Sequence, residues 1–191
     1  FIIAQNTVDV VYSPSNEFPA LPFRLLFVGT FNERKGLDKI IYIFYNLFQN
    51  NNNLRLDLVG DGPCFHMIKN LVSHLNLNQF VKFHGRITDE HVLSEIYSYS
   101  DLEISPFQAG LSVPRALGHG VPFATLSNSI SGGEIDSIID NYNGFKKDNI
   151  NQLEHSLKLF FEDPVLIKRF KVNSLNYYSK HLSLTNMVSS F

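Results

Sequence analysis

The 191-residue chain has no tryptophan, a single cysteine and no block of like charge. One cysteine, Cys64, cannot build an intrachain disulfide framework; it suits a reducing cytoplasm and a packing role. Sixteen basic against eighteen acidic residues give a formal net charge of −2, which leaves no electrostatic footprint for nucleic acid. No apolar run approaches the roughly 18 residues that span a bilayer, and the first residues carry neither a basic leader nor a small-residue cleavage site. The seven histidines are scattered, without His-Glu-x-x-His or a cysteine pair to hold zinc. No Asp-x-Asp occurs to hold Mg or Mn against a diphosphate, and no Gly-x-Ser-x-Gly elbow marks a hydrolase.

What is present is 44% apolar content, enough for one domain with a sizeable core. Residues 1–11 read as an apolar strand and turn, and 13–22 as a proline-containing connection; the start on Phe1 suggests a fragment of a longer protein. A continuous apolar run at 23–29, a strand at 54–60 that alternates leucine with Arg55 and Asp57, further strands at 80–84, 102–105 and 121–126, and a short one from Phe145 alternate with amphipathic segments. Leu37, Ile40, Ile41, Phe44 and Phe48 share one helical face; Pro63 suits the first position of a second helix. Thr88 reads as an N-cap ahead of Val92, Leu93 and Ile96, a short helix is expected around 134–139, and Asp163-Pro164 opens the last long helix. Alternation of this kind predicts an α/β fold, a Rossmann-like parallel sheet of about five or six strands with helices on both faces.

The stretch 105–122, SPFQAGLSVPRALGHGVP, joins a buried strand to a helix expected to start at Leu111-Ser112. A helix N-terminus above the carboxyl ends of parallel strands offers unpaired N–H groups and a positive dipole end to phosphate. The loop from Gly29 to Gly36 matches neither a Walker A loop nor the three-glycine dinucleotide fingerprint, yet places Arg34 and Lys35 on the crevice side, where Lys35 either reaches a diphosphate or stands solvated. Without a metal, Lys35, Arg34, Arg86 or Arg115 would have to neutralise such a ligand. His84 and His119 lie at element ends near the crevice and are open to packing or to chemistry.

In order and spacing, LLFVGTFNERKGLDKII, LDLVGDGP, VKFHGRITDEHVLSEIYSYSDLEISP, GLSVPRALGHGVP and GEIDSIIDNYNGF resemble the C-terminal, donor-binding domain of GT-B fold glycosyltransferases of the large retaining family 4. The resemblance covers nearly the whole chain and implies three parts. These are an entry strand and linker from an absent N-terminal acceptor domain (1–22), a nucleotide-sugar-binding domain (23–180) and a C-terminal helix (181–191). It implies that Gly29, Thr30 and Lys35 contact the donor diphosphate, with Thr30 standing where an arginine is usual. Gly85, Arg86 and Ile87 would line the base, and the N–H groups of Gly110, Leu111 and Ser112 would hold the diphosphate. Where the family usually has two glutamates separated by seven residues, this chain has Phe107 and Arg115. A subset of the family shows the same Ser-Pro, variable triplet and Gly-Leu-Ser without either. Arg115 is then open to the diphosphate or to an acidic neighbour, and Glu134 to a sugar contact or to helix capping.

The expected function is transfer of a sugar from a UDP-, GDP- or ADP-linked donor with retention and without a metal or other cofactor, in cell-surface polysaccharide assembly. Lys35, Arg115 and Glu134 are the candidate catalytic residues. This part alone would bind donor without turnover, in the cytoplasm, any membrane contact running through the absent half. The alternatives are a catalytically impaired binding or partner module and, ranked last, a sugar-nucleotide epimerase.

Overall fold

The computed structural model describes Val10 and residues 21–183. The expected entry strand and most of the expected C-terminal helix lie outside them. Six strands, β1 (Phe23–Val28), β2 (Leu54–Val59), β3 (Val81–Gly85), β4 (Leu102–Ile104), β5 (Phe123–Leu126) and β6 (Gly144–Lys147), form one sheet in the order β3-β2-β1-β4-β5-β6. Every pairing is parallel. The central strands are buried on both faces, which explains the apolar run in β1. Six helices connect or cover them: α1 (Leu37–Asn50), α2 (Phe65–His74), α3 (Glu90–Ser98), α4 (Ser112–Gly118), α5 (Ile150–Glu162) and α6 (Pro164–Tyr177).

The side-chain period of two along β1 divides the core. Leu25 and Phe27 face a large cluster with Ile40, Phe44, Ile68, Leu157 and Phe160, whereas Leu26 faces a smaller one with Leu93, Tyr97, Val113 and Leu117. Phe145, Phe160 and Phe170 meet ring to ring at 5.2–5.6 Å, fixing α5 and α6 against β6. The chain therefore makes a three-layer sandwich, with β1 and β4 side by side at its middle.

Three expectations need correction. The cap of α3 is Asp89, whose Oδ1 accepts the His91 and Val92 N–H groups at 2.8 and 3.4 Å; Thr88 stands one residue outside. Val92, expected in the buried stripe, faces solvent, and Tyr97 joins Leu93 and Ile96 on the buried face. Pro63 lies in the turn before α2, which begins after Cys64. Asp57, which the alternation in β2 makes a surface residue, is fully buried, its carboxylate held between Arg24 of β1 and His84 of β3.

Candidate functional site

In an open α/β sheet, ligands bind outside the carboxyl ends of the strands where the order reverses, here between β1 and β4. Two glycine-bearing loops interlock beside that point. Gly29 N–H donates to Val59 O, Phe31 N–H to Asp61 O and Cys64 N–H to Phe31 O, each at 2.9 Å. The contact is so close that a Cβ on Gly60, whose φ is +138°, would stand 1.8 Å from Gly29 O. Gly60 N–H in turn donates to Gly85 O at 2.8 Å, tying in the end of β3. The result is a cleft of about 480 Å³, within the range of small-molecule sites, lined by Val28, Gly29 and Thr30 from the first loop, 59–62 from the second, and Arg86 and Ile87 from the third.

Of the residues singled out in the sequence, Gly29, Thr30, Arg86 and Ile87 thus share one cavity, with Gly85 at its edge. Lys35 closes a short 3-10 turn (Glu33–Lys35) capped by the Asn32 side chain, and its ammonium lies over Gly29; a Cβ there would be 3.7 Å from Nζ. The Lys35 amine is half-buried, and burial lowers its pKa against the opposing pull of Glu103. Gly36 adopts a left-handed conformation, and the Phe107 ring packs so tightly on it that a Cβ would meet Cδ2 at 2.2 Å. Phe107 is therefore part of the floor beneath the Lys35 turn, in contact with the main core.

Gly110, Leu111 and Ser112 occupy the expected turn, with α4 starting at Ser112, but they do not line the 480 Å³ cleft. The early N–H groups of a helix have no intrahelical partner. The Ser112 hydroxyl is buried and without a hydrogen-bond partner in the protein, as is Arg115 Nε. Arg115 does meet an acidic neighbour: its guanidinium donates to Glu90 Oε1 at 3.1 Å. Glu134 is buried in its own loop, Oε2 accepting from Gly132 N–H at 2.8 Å and from the Ser131 hydroxyl at 3.0 Å. That loop docks on the 105–112 turn through Ala109 N–H to Ile130 O and Ile130 N–H to Phe107 O.

Both histidines left open by the sequence are packed. His84 Nε2 meets Asp57 Oδ1 at 2.6 Å, and Arg24 holds the other carboxylate oxygen at 3.0 Å. His119 stacks on Tyr97 with centroids 4.5 Å apart, and burial, then the Arg115 charge, push its pKa down to about 4. No three His, Cys, Asp or Glu side chains come together as metal ligands among the described residues.

Sequence reasoning passed over Glu103, the middle residue of β4. It is fully buried at the sheet centre, paired in register with Leu26, and accepts the Tyr97 hydroxyl on Oε2 at 2.8 Å. Burial pushes its pKa up to about 8, against the Tyr97 hydrogen bond and the charges of Lys35 and Arg115. A charged residue inside the run Leu102-Glu103-Ile104 was the available signal.

The family model for glycosyl transferases, group 1, matches residues 12–177. Protein CapJ of Staphylococcus aureus is 28% identical over 162 residues, which are 83% of this chain and 39% of CapJ. Among solved structures, S. aureus TarM in complex with alpha-GlcNAc-glycerol and UDP superposes with a TM-score of 0.79 at 18% identity, over 99% of this chain and 37% of that one. The pneumococcal O-GlcNAc transferase GtfA, in complex with UDP and GlcNAc, gives 0.72 at 16% identity, over 96% and 37%. The chain spans about two fifths of the length of these relatives.

Proposed function

The chain belongs to the group 1 glycosyl transferases, and from that premise we propose that it is the donor-binding half of a retaining, metal-independent glycosyltransferase that takes its sugar from a nucleoside diphosphate. The observation that carries this is the cleft at the carboxyl ends of β1–β3, where the Gly29-Thr30 loop, the Arg86-Ile87 segment and the overlying Lys35 ammonium meet. In this reading the base lies along 85–87 and the diphosphate lies between Lys35 and the turn at 110–112. The chemistry breaks the anomeric carbon–diphosphate oxygen bond while the acceptor hydroxyl attacks on the same face and passes its proton to the departing diphosphate. Negative charge grows on that leaving group, and fixed donors aimed at it stabilise the transition state more than the ground state. Lys35 supplies a partly desolvated point charge, Arg115 a second cation, and the turn before α4 the N–H groups of Gly110, Leu111 and Ser112, Val113 N–H being bonded to Gly110 O. In the same reading Glu134, held in a loop against that turn, contacts the sugar.

UDP is the first nucleotide to test, because TarM and GtfA were solved with it. Isothermal titration of the chain with UDP, GDP and ADP should give binding to one of them, weakened about 10- to 100-fold in Lys35→Ala by the loss of one charge-assisted contact. Absence of binding, with wild type and variant equally inert, refutes the proposal.

A second reading, a partner module of the same fold without donor chemistry, draws on Phe107 and Arg115, one packed under Gly36 and the other paired with Glu90. Turnover by the full-length protein that is lost in Lys35→Ala contradicts it.

A further inference from the structure

Two carboxylates among the described residues are fully buried, Asp57 and Glu103, and they are solvated by the protein in opposite ways. Asp57 has a basic partner on each oxygen. Glu103 has only neutral donors, the Tyr97 hydroxyl on Oε2 at 2.8 Å and the Val28 N–H beside the carboxyl, and Oε1 has no partner within hydrogen-bond geometry. A buried carboxylate left half-satisfied is costly, whereas the neutral acid carries its own proton on the second oxygen.

The surroundings connect this carboxyl to the donor site. Its charge couples to Lys35 of the 33–35 turn and to Arg115 of α4; Tyr97 of α3, hydrogen-bonded to it, also senses Glu90 and is covered by the His119 ring. Lys35 and Arg115 are the two cations assigned above to the diphosphate. An ionised Glu103 would draw on both, and an incoming anion beside it would raise the cost of that ionisation further. A neutral Glu103 draws on neither, leaving Lys35 to the ligand and Arg115 shared only between the ligand and Glu90.

We propose that Glu103 is a proton-holding positioning residue of the donor cleft: a nucleoside diphosphate binds at Lys35 and Arg115 together with a proton from solvent on Glu103 Oε1, so that Glu103 draws on neither cation. The inference rests on the donor-site assignment of Lys35 and Arg115. Because burial raises the Glu103 carboxyl to about 8, the free protein holds this proton at pH 7 and has mostly lost it at pH 9. Tyr97 is pushed well above its ordinary range and His119 down to about 4, so neither changes charge in that interval. Lys35 is lowered by burial and held up by the Glu103 charge, so in Glu103→Gln it loses its proton at lower pH; that works against the expected difference rather than producing it.

The test is isothermal titration of the chain with UDP at pH 7, 8 and 9, in buffers of different ionisation enthalpy, for wild type and Glu103→Gln, whose amide mimics the protonated acid. Where only the protonated fraction binds, apparent Kd scales inversely with that fraction. The wild-type affinity should therefore fall about tenfold more than the variant's between pH 7 and 9. At pH 8 the wild type should take up about half a proton more per UDP than the variant. Tyr97→Phe removes the bond that opposes the rise, so its loss of affinity should move to higher pH and give an independent check if Glu103→Gln folds poorly. One shared pH profile and proton count for all three proteins overturns the proposal and leaves the nucleotide site standing. If none of the three binds UDP, GDP or ADP at pH 7, the donor-site assignment falls, and the proposal with it.

Discussion

Replacing Glu103 by glutamine should change how the stability of the unliganded chain depends on pH. The folded-state carboxyl titrates near 8, against about 4.5 for an exposed glutamate. Because the folded value is the higher one, the protonated carboxyl contributes fully below about pH 4.5, and that contribution is lost as pH rises through about 8. At about 1.4 kcal/mol per pH unit, the window corresponds to a ceiling of about 5 kcal/mol. The side chain is fully buried at the sheet centre, so solvent does not screen the effect away. Glutamine keeps an oxygen for the Tyr97 hydroxyl and cannot ionise. Urea unfolding at pH 5, 7 and 9 should show Glu103→Gln within about 1 kcal/mol of wild type at pH 5 and more stable by at least about 2 kcal/mol at pH 9. A difference that stays constant across the three pH values would refute the reasoning, since a titrating buried acid cannot give one.

Other substitutions follow from close contacts and buried partners. Gly60→Ala places a Cβ against Gly29 O at a φ of +138°, and should cost about 2–4 kcal/mol while weakening UDP binding, because the Gly29 loop must move; denaturation and titration read the two effects separately. Asp57→Ala strips the anion from Arg24 and His84. Because the Arg24 side chain is 31% exposed and can rehydrate, the expected loss is about 2–4 kcal/mol, toward the low end for a broken buried pair. Phe160→Ala opens the ring cluster with Phe145 and Phe170 and should lower stability by about 3–5 kcal/mol in the same denaturation assay.

The sheet was legible because its strands are short apolar or alternating segments ended by glycine or a turn, and each lies within a residue or two of its expected bounds; Phe23–Val28 and Leu54–Val59 are examples. The Gly29, Thr30, Arg86 and Ile87 cluster was also legible, since parallel strands must deliver their carboxyl-end loops to one rim. Local chemistry was less decisive at the α3 start, where Thr88 and Asp89 are both competent caps and only backbone geometry selects the second. A charge inside the run Leu102-Glu103-Ile104 was a signal, but the partners of the buried charges were not legible. Asp57 finds Arg24 and His84 at sequence separations of 33 and 27, and Glu103 meets Lys35 and Arg115 from other elements, so their state depends on packing that no local pattern encodes.

The central claim is the position of the donor. A crystal of the chain soaked with UDP should show the base beside Gly85, Arg86 and Ile87 and the diphosphate between Lys35 and the 110–112 turn. UDP bound elsewhere on the molecule, with the cleft of Gly29, Thr30 and Ile87 left without it, would contradict the account.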